Sequence, residues 1–205
     1  MRCSVGTGVP LPTQPVAPAR LLPMNEATGA KPMDSAYTLR PATKGDIDFL
    51  AEMTLEAFNW DPERPAVTMS QLRADPTLRK YIEGWPTTGE QGMVAETADG
   101  EPVGAAWWRY FPADAPGYGF VAEEVPELSL AVAPGWRGRG VGRALLRALI
   151  EQARNAGLSR VSLSVERANH AAGMYASEGF EVVDGDENAD TMAKDLHAGP
   201  SGRHR

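Results

Sequence analysis

The stretch that most restricts what this chain can fold into runs from Glu127 to Glu166. It reads as an apolar run, ELSLAVAP, then the glycine- and arginine-rich GWRGRGVG, then RALLRALIEQARNAG, and finally RVSLSVE. From Val141 onward, Val141, Leu145 and Leu149 recur at helical spacing and share one face. In RVSLSVE, Val161, Leu163 and Val165 alternate with serines, the period of a strand with two unlike faces. Strand, helix and strand in so short a span predict a parallel pair joined by a right-handed crossover. Gly138, Gly140 and Gly142 stand where that helix must start. Glycine costs about 1 kcal/mol relative to alanine inside a helix, so the loop is expected to let something approach its backbone closely.

Around this unit the pattern supplies further elements. Tyr37 to Thr43 reads as a strand ending at Pro41, with Thr43 capping a helix through FLAEMTLEAF, and Asp61 to Pro65 break the chain. A second helical region spans Ser70 to Gly84, with Asp75 as an N-cap before Pro76. GMVAETADGEPVGAAWWRYF is a hairpin about Asp99-Gly100. A short helix from His170 to Ser177 ends before Gly179, and Phe180 to Val183 and Thr191 to Leu196 complete the sheet. The neighbours Trp107 and Trp108 face opposite sides of their strand, so one of them is expected to be exposed or at an interface.

With 205 residues, 42% of them hydrophobic, the chain suits one well-filled core. Residues 1–35 carry prolines at 10, 12, 15, 18, 23 and 32 and few large apolar groups, which marks a flexible tail. Met24 and Met33 offer later natural starts for the chain. Residues 36–196 form the globular domain, and 197–205 are a second flexible tail. The net charge of -7 disfavours nucleic acid and anionic membrane as partners, since both demand excess positive charge. No apolar run approaches the roughly 20 residues that span a bilayer. The single cysteine, Cys3, allows neither a disulfide framework nor a thiolate cluster, and a cytoplasmic location is expected. His170, His197 and His204 show no metal-ligand spacing, so no metal is implied.

Three phosphate-binding patterns compete for the glycine loop. The dinucleotide fingerprint fails, because its third glycine would fall on Arg143 or Leu145. The Walker pattern has its spacing in Gly135 and Gly140 but Val141 where lysine is required. What remains is Arg137-x-x-Gly140-x-Gly142 between a strand and an amphipathic helix, where backbone N–H groups and the helix dipole bind an anion such as pyrophosphate. The alternative is an ordinary glycine-rich loop with its arginines in solvent.

LAVAP, Leu130 to Pro134, followed by RGRGVG, Arg137 to Gly142, resembles the acetyl-CoA loop of the GNAT superfamily of N-acetyltransferases. Asn169-x-Ala171-x-x-Met174-Tyr175, with Gly179-Phe180 after it, is similar to that family's second signature. Arg40 to Asp46 also looks like a GNAT opening, and the resemblance spans roughly Tyr37 to Leu196. It implies an α/β fold of the α+β type: a mixed, mostly antiparallel sheet of about seven strands, with flanking helices and a splayed central parallel pair, Glu127 to Ala133 and Arg160 to Glu166. It implies acetyl-CoA as cosubstrate. Pantetheine would pair with the backbone of Leu130, Ala131 and Val132, and Arg137, Gly138, Arg139, Gly140, Val141, Gly142 and Arg143 would surround the pyrophosphate.

In that family an amine attacks the acetyl thioester directly, so the resemblance implies transfer to a primary amine. The step needs a neutral amine, a stabilised oxyanion and a proton for the leaving thiolate. Tyr175 stands at the position of the family's proton donor, or its ring only packs on the cofactor. Asn169 contacts the pantetheine arm or caps the helix beside it, and the N–H of Val132 is the expected partner of the thioester carbonyl. For the base, Glu127 and Glu124 lead, with Glu123 and Glu166 behind them. Alternation counts against Glu127, whose side chain points to the face opposite Val132, and Glu124 shares the parity of Val132 but falls in the preceding loop. Trp60, Trp85, Tyr110, Tyr118 and Phe120 lie where the acceptor would bind. The acceptor is open, a small-molecule amine or a peptide or protein amine, and dimers are frequent in the family, so a homodimer is a further expectation. The competing reading is a catalytically silent acyl-CoA-binding sensor.

Overall fold

A computed structural model describes residues 36–196. The expected tails, the alternative starts at Met24 and Met33, and Cys3, His197 and His204 lie outside the described residues. The strands are β1 (Thr38–Pro41), β2 (Gly92–Glu96), β3 (Pro102–Arg109), β4 (Glu127–Val132), β5 (Arg160–Glu166), β6 (Glu181–Gly185) and β7 (Ala189–Asp195). The helices are α1 (Ile47–Phe58), α2 (Met69–Ala74), α3 (Pro76–Arg79), α4 (Val141–Asn155) and α5 (Ala171–Ser177).

Local chemistry accounts for the boundaries. Thr43 closes a capping box with Asp46, whose carboxylate accepts the Thr43 N–H at 2.7 Å, and a single 3-10 turn leads into α1. The helical region from Ser70 to Gly84 divides at Asp75, the N-cap marked in the sequence. Pro76 has no N–H to continue the ladder, and Asp75 ends α2 while its side chain accepts the Thr77 N–H at 2.8 Å and starts α3. The short helix α3 then gives way to turns that carry Lys80, Tyr81 and Ile82.

The seven strands form one sheet in the order β1-β2-β3-β4-β5-β7-β6. Neighbours are antiparallel except β4 and β5, which are parallel and share one bridge pair, Glu127↔Ser162, before they diverge. Helices cover both faces. Val141, Leu145, Leu149 and Ala153 of α4 pack on Val103, Leu128, Val161 and Leu163 on one side. On the other, Leu50, Ala51 and Met53 of α1 pack with Leu72, Val94 and Ala131.

This two-sided cover corrects the expectation for the tryptophan pair: Trp107 and Trp108 do face opposite sides, yet both are fully buried. Each indole N–H also has a partner, Trp107 donating to the Tyr81 carbonyl at 3.1 Å and Trp108 to that of Gly89 at 2.8 Å.

A buried ion pair ties the segment after α3 to the sheet. Arg109, at the end of β3, donates from Nε to Glu90 Oε1 at 3.0 Å, and from its terminal nitrogen to the carbonyls of Lys80 (2.7 Å) and Glu83 (2.8 Å). The loop between β3 and β4 returns over the β4 and β5 ends at very close range. A Cβ on Gly117 would stand 2.0 Å from Glu127 Oε2, and one on Gly119 would stand 2.3 Å from the Leu163 carbonyl carbon. Glycine is therefore required at both positions by contact rather than by backbone angle.

Candidate active site

The divergence of β4 from β5 opens a cleft of ≈ 1170 Å³ through the sheet. All of β4 from Glu127 to Val132 borders it, with Ser164 to Glu166 across the gap. The start of α4 closes one end, and Phe58, Tyr81 and Tyr118 line the other.

At the α4 end the loop is built as an open cradle. Gly138 and Gly140 have φ of +72° and +84°, a left-handed conformation that glycine adopts without a Cβ clash. No backbone N–H from Gly138 to Arg143 donates a hydrogen bond of ordinary geometry to another described residue. Gly142 is different: it is already helical, and a Cβ there would meet only ordinary contacts, Leu130 Cδ2 at 3.5 Å and Val132 Cγ2 at 3.6 Å. The folded chain itself does not demand glycine at that position.

The arginines of the loop do several jobs. Arg137 donates from Nε to the Val132 carbonyl at 3.0 Å and pairs with Glu56 of α1 at 2.7 Å, so it buttresses the end of β4. Arg143 reaches Ser177 Oγ at 2.9 Å and Glu178, which Arg147 also engages at 2.9 Å, linking α4 to the end of α5. Arg139 lies over the Trp136 ring at 5.0 Å and does not line the cleft. Val141 is in the core.

Tyr175 and Asn169 both border the cleft. Tyr175 is buried against Phe180, with ring centroids 5.9 Å apart, and burial pushes its phenol up to about 12. Asn169 Oδ1 accepts the Ala171 N–H at 2.9 Å, so its side chain caps the start of α5. Asn169→Ala is expected to lower stability by about 1 kcal/mol, read from urea unfolding.

The acidic candidates separate cleanly. Glu127 lines the cleft and is buried, while Glu124 is exposed on the loop before β4 and does not border it. Alternation correctly puts Glu127 on the face opposite Val132. The cleft passes through the sheet, however, so both faces of β4 border it.

Glu127 Oε1 accepts the Tyr81 hydroxyl at 3.0 Å, and Oε2 is fully buried without a hydrogen bond of ordinary geometry to any described residue. Burial raises its pKa to about 7, opposed by the Tyr81 hydrogen bond, the nearby Gly119 amide and the charge of Lys80. Glu166 is held by Arg64, whose terminal nitrogen donates to Oε1 at 2.9 Å, and this pairing lowers its pKa.

Of the aromatic candidates, Trp60 and Tyr118 border the cleft, whereas Trp85, Tyr110 and Phe120 do not. Sequence reasoning missed Tyr81 and Phe58. Their aromatic character was the only signal, and it does not distinguish core from cleft.

The acetyltransferase (GNAT) family profile matches residues 52–180. A mycothiol acetyltransferase of Saccharomonospora viridis is 32% identical over 143 residues, 69% of this chain and 44% of that protein. The chain thus spans less than half the length of that relative. Among solved structures, a ribosomal-protein-alanine N-acetyltransferase from Brucella melitensis is 28% identical with a TM-score of 0.56, covering 77% of this chain and 99% of that one. The yncA structure from Salmonella typhimurium, which holds its cofactor acetyl-CoA, is 26% identical with a TM-score of 0.58, covering 81% and 98%. With the seven-stranded mixed sheet and the matched profile together, the chain belongs to the GNAT acetyltransferase family.

Proposed function

We propose that the domain transfers the acetyl group of acetyl-CoA directly to a primary amine. The observation that carries this reading is the cradle at the start of α4, six consecutive amides from Gly138 to Arg143 without partners of ordinary geometry among the described residues, with Gly138, Gly140, Gly142 and Arg143 bordering a cleft that contains a buried carboxylate. The cradle fits the cofactor's diphosphate: a helix N-terminus attracts an anion, a Cβ at Gly138 or Gly140 would have nothing within 4 Å, and the chain's own packing does not require glycine at Gly142. The cofactor supplies the acetyl thioester.

The residues around the cleft fall into three roles. Gly138 to Arg143 hold the diphosphate through the backbone, with Arg137 and Arg143 fixing the frame around them. The outer edge of β4 beyond its single rung with β5 offers backbone groups to the pantetheine arm, and the Val132 N–H polarises the acetyl carbonyl. Glu127 takes the proton of the acceptor ammonium, and Tyr175 protonates the departing thiolate, a task suited to a phenol kept neutral by burial. Phe58, Tyr81 and Tyr118 surround the acceptor with aromatic faces. No described helix is long and apolar enough to cross a membrane, and we place the protein in the cytoplasm on its need for acetyl-CoA and its single cysteine.

The test is calorimetry with acetyl-CoA, followed by thiol release with phenethylamine, glucosamine, spermidine and an alanine-terminated peptide. Saturable binding and amine-dependent release are expected. Absence of both removes the reading, and binding without release for any amine points to a sensor. Tyr175→Phe is expected to lower turnover about 10-fold with little change in acetyl-CoA affinity, and wild-type turnover in that variant removes the proton-donor role.

A further inference from the structure

We propose that the acceptor's proton reaches Glu127 through the hydroxyl of Tyr81. The inference rests on the reading of Glu127 as the base. It begins from the accessibility of the two carboxylate oxygens. Oε2 is sealed: it has no exposed surface, and the backbone of Gly117 lies on it so closely that a Cβ there would come to 2.0 Å. Oε1 is met by the Tyr81 hydroxyl, which donates to it at 3.0 Å. An amine in the cleft therefore meets Tyr81 before it meets a free carboxylate oxygen.

The Tyr81 oxygen is equipped to pass a proton on. It donates one hydrogen bond, to Glu127, and accepts one, from the Tyr118 N–H at 2.8 Å. A hydroxyl has two acceptor sites, so one remains for the acceptor's N–H. Its position is fixed from every side. The Tyr81 and Tyr118 rings stack 6.0 Å apart at 8°, Phe58 meets Tyr81 edge-on at 6.0 Å, and the Tyr81 carbonyl accepts the Trp107 indole N–H at 3.1 Å. Arg109, bound to Glu90, grips the carbonyls of Lys80 and Glu83 on either side of it. This buried ion pair places the ring over the carboxylate.

The proton balance is closed. As an N–H bond of the ammonium breaks, its proton forms a bond to the Tyr81 oxygen. The phenolic proton of Tyr81 moves in the same event to Glu127 Oε1, leaving a neutral amine, a neutral phenol and a neutral carboxylic acid. The two transfers are concerted because burial strongly disfavours a free phenolate at Tyr81. The other charged or titratable groups around Glu127 are Lys80 and Tyr118, with Arg109 opposite it on β3 and held by Glu90. Its partner on β5 is Ser162.

The experiment measures kcat against pH for the wild type, Y81F, E127Q and the double variant, using the amine of the panel with the fastest wild-type thiol release. Thermal midpoint and acetyl-CoA affinity verify that each protein is folded. Y81F is expected to lower the high-pH plateau at least 10-fold. The double variant is expected to fall no further than E127Q within about twofold, because groups acting in series are not additive. A Y81F plateau within twofold of wild type, with E127Q strongly impaired, overturns the relay and leaves the base in place. Losses that multiply in the double variant also overturn it, since they mark two independent roles. A wild-type plateau in E127Q, or no turnover with any amine, removes the underlying reading and the relay with it. Should Y81F not fold, Y81H, whose ring can carry a proton, is expected to retain more activity than Y81Q, which can only hydrogen-bond; equal loss in both overturns the relay.

Discussion

Glu127→Gln is expected to lower kcat about 100-fold or more, the contribution general-base catalysis ordinarily makes, and to abolish the acidic limb of the pH profile. Desolvation holds the Glu127 pKa near 7, so the base form is present above about 7 and is lost as pH falls through that value. In the wild type, kcat/KM should therefore decline below about pH 7, while the glutamine variant shows a low, flat response there. Stability supplies an independent check of the same group. Because folding raises this pKa from 4.5 to about 7, ionising the buried carboxylate opposes the fold, and the associated stability is present at low pH and lost as pH rises from 4.5 to 7. The variant lacks that loss, so its stability relative to wild type should improve between pH 5 and pH 8 in urea unfolding. An acidic limb that survives in the variant, or a stability difference that ignores pH, counts against the assignment.

Gly142→Asp is expected to weaken acetyl-CoA binding about 100-fold, or about 2.7 kcal/mol, with little harm to the fold. The two halves of that statement have separate causes. A carboxylate in the first turn of α4 suits the helix dipole, and its Cβ meets only ordinary contacts at 3.5 Å and beyond. The same carboxylate would occupy the space and repel the charge of a diphosphate on the neighbouring amides. Calorimetry with acetyl-CoA and a thermal melt without it separate the effects. Unchanged affinity removes the cradle, and a collapsed melt shows that glycine serves the fold after all.

The sheet and α4 were legible because their signals are local. Alternation in RVSLSVE, the 3.6-residue period of α4 and the glycines at its head each need only a few neighbouring residues. The place of Glu127 in the cleft was harder to read. Alternation correctly separates the faces of Glu127 and Val132, but it presumes a continuous sheet, and whether a neighbouring strand stays paired is a property of tertiary structure. Tyr81 was illegible for a related reason. Its segment carries helical signals from Ser70 onward, yet Pro76 ends the regular ladder, and the turns that follow are held by Arg109, 28 positions further along the chain and on another element. The tryptophan pair misled because strand parity says which way a side chain points, not whether a helix covers that side.

The lone rung between β4 and β5 makes the sheet resemble a book with a loosened spine. A molecule lodged there acts as mortar between two panels that the chain leaves partly unjoined, so occupancy and cohesion become one thermodynamic quantity. At a concentration 100 times its dissociation constant, such a molecule adds about 2.7 kcal/mol to the folded state. Amide exchange along the facing edges of the two strands should slow on filling, while the outer β6–β7 ribbon keeps its original rate.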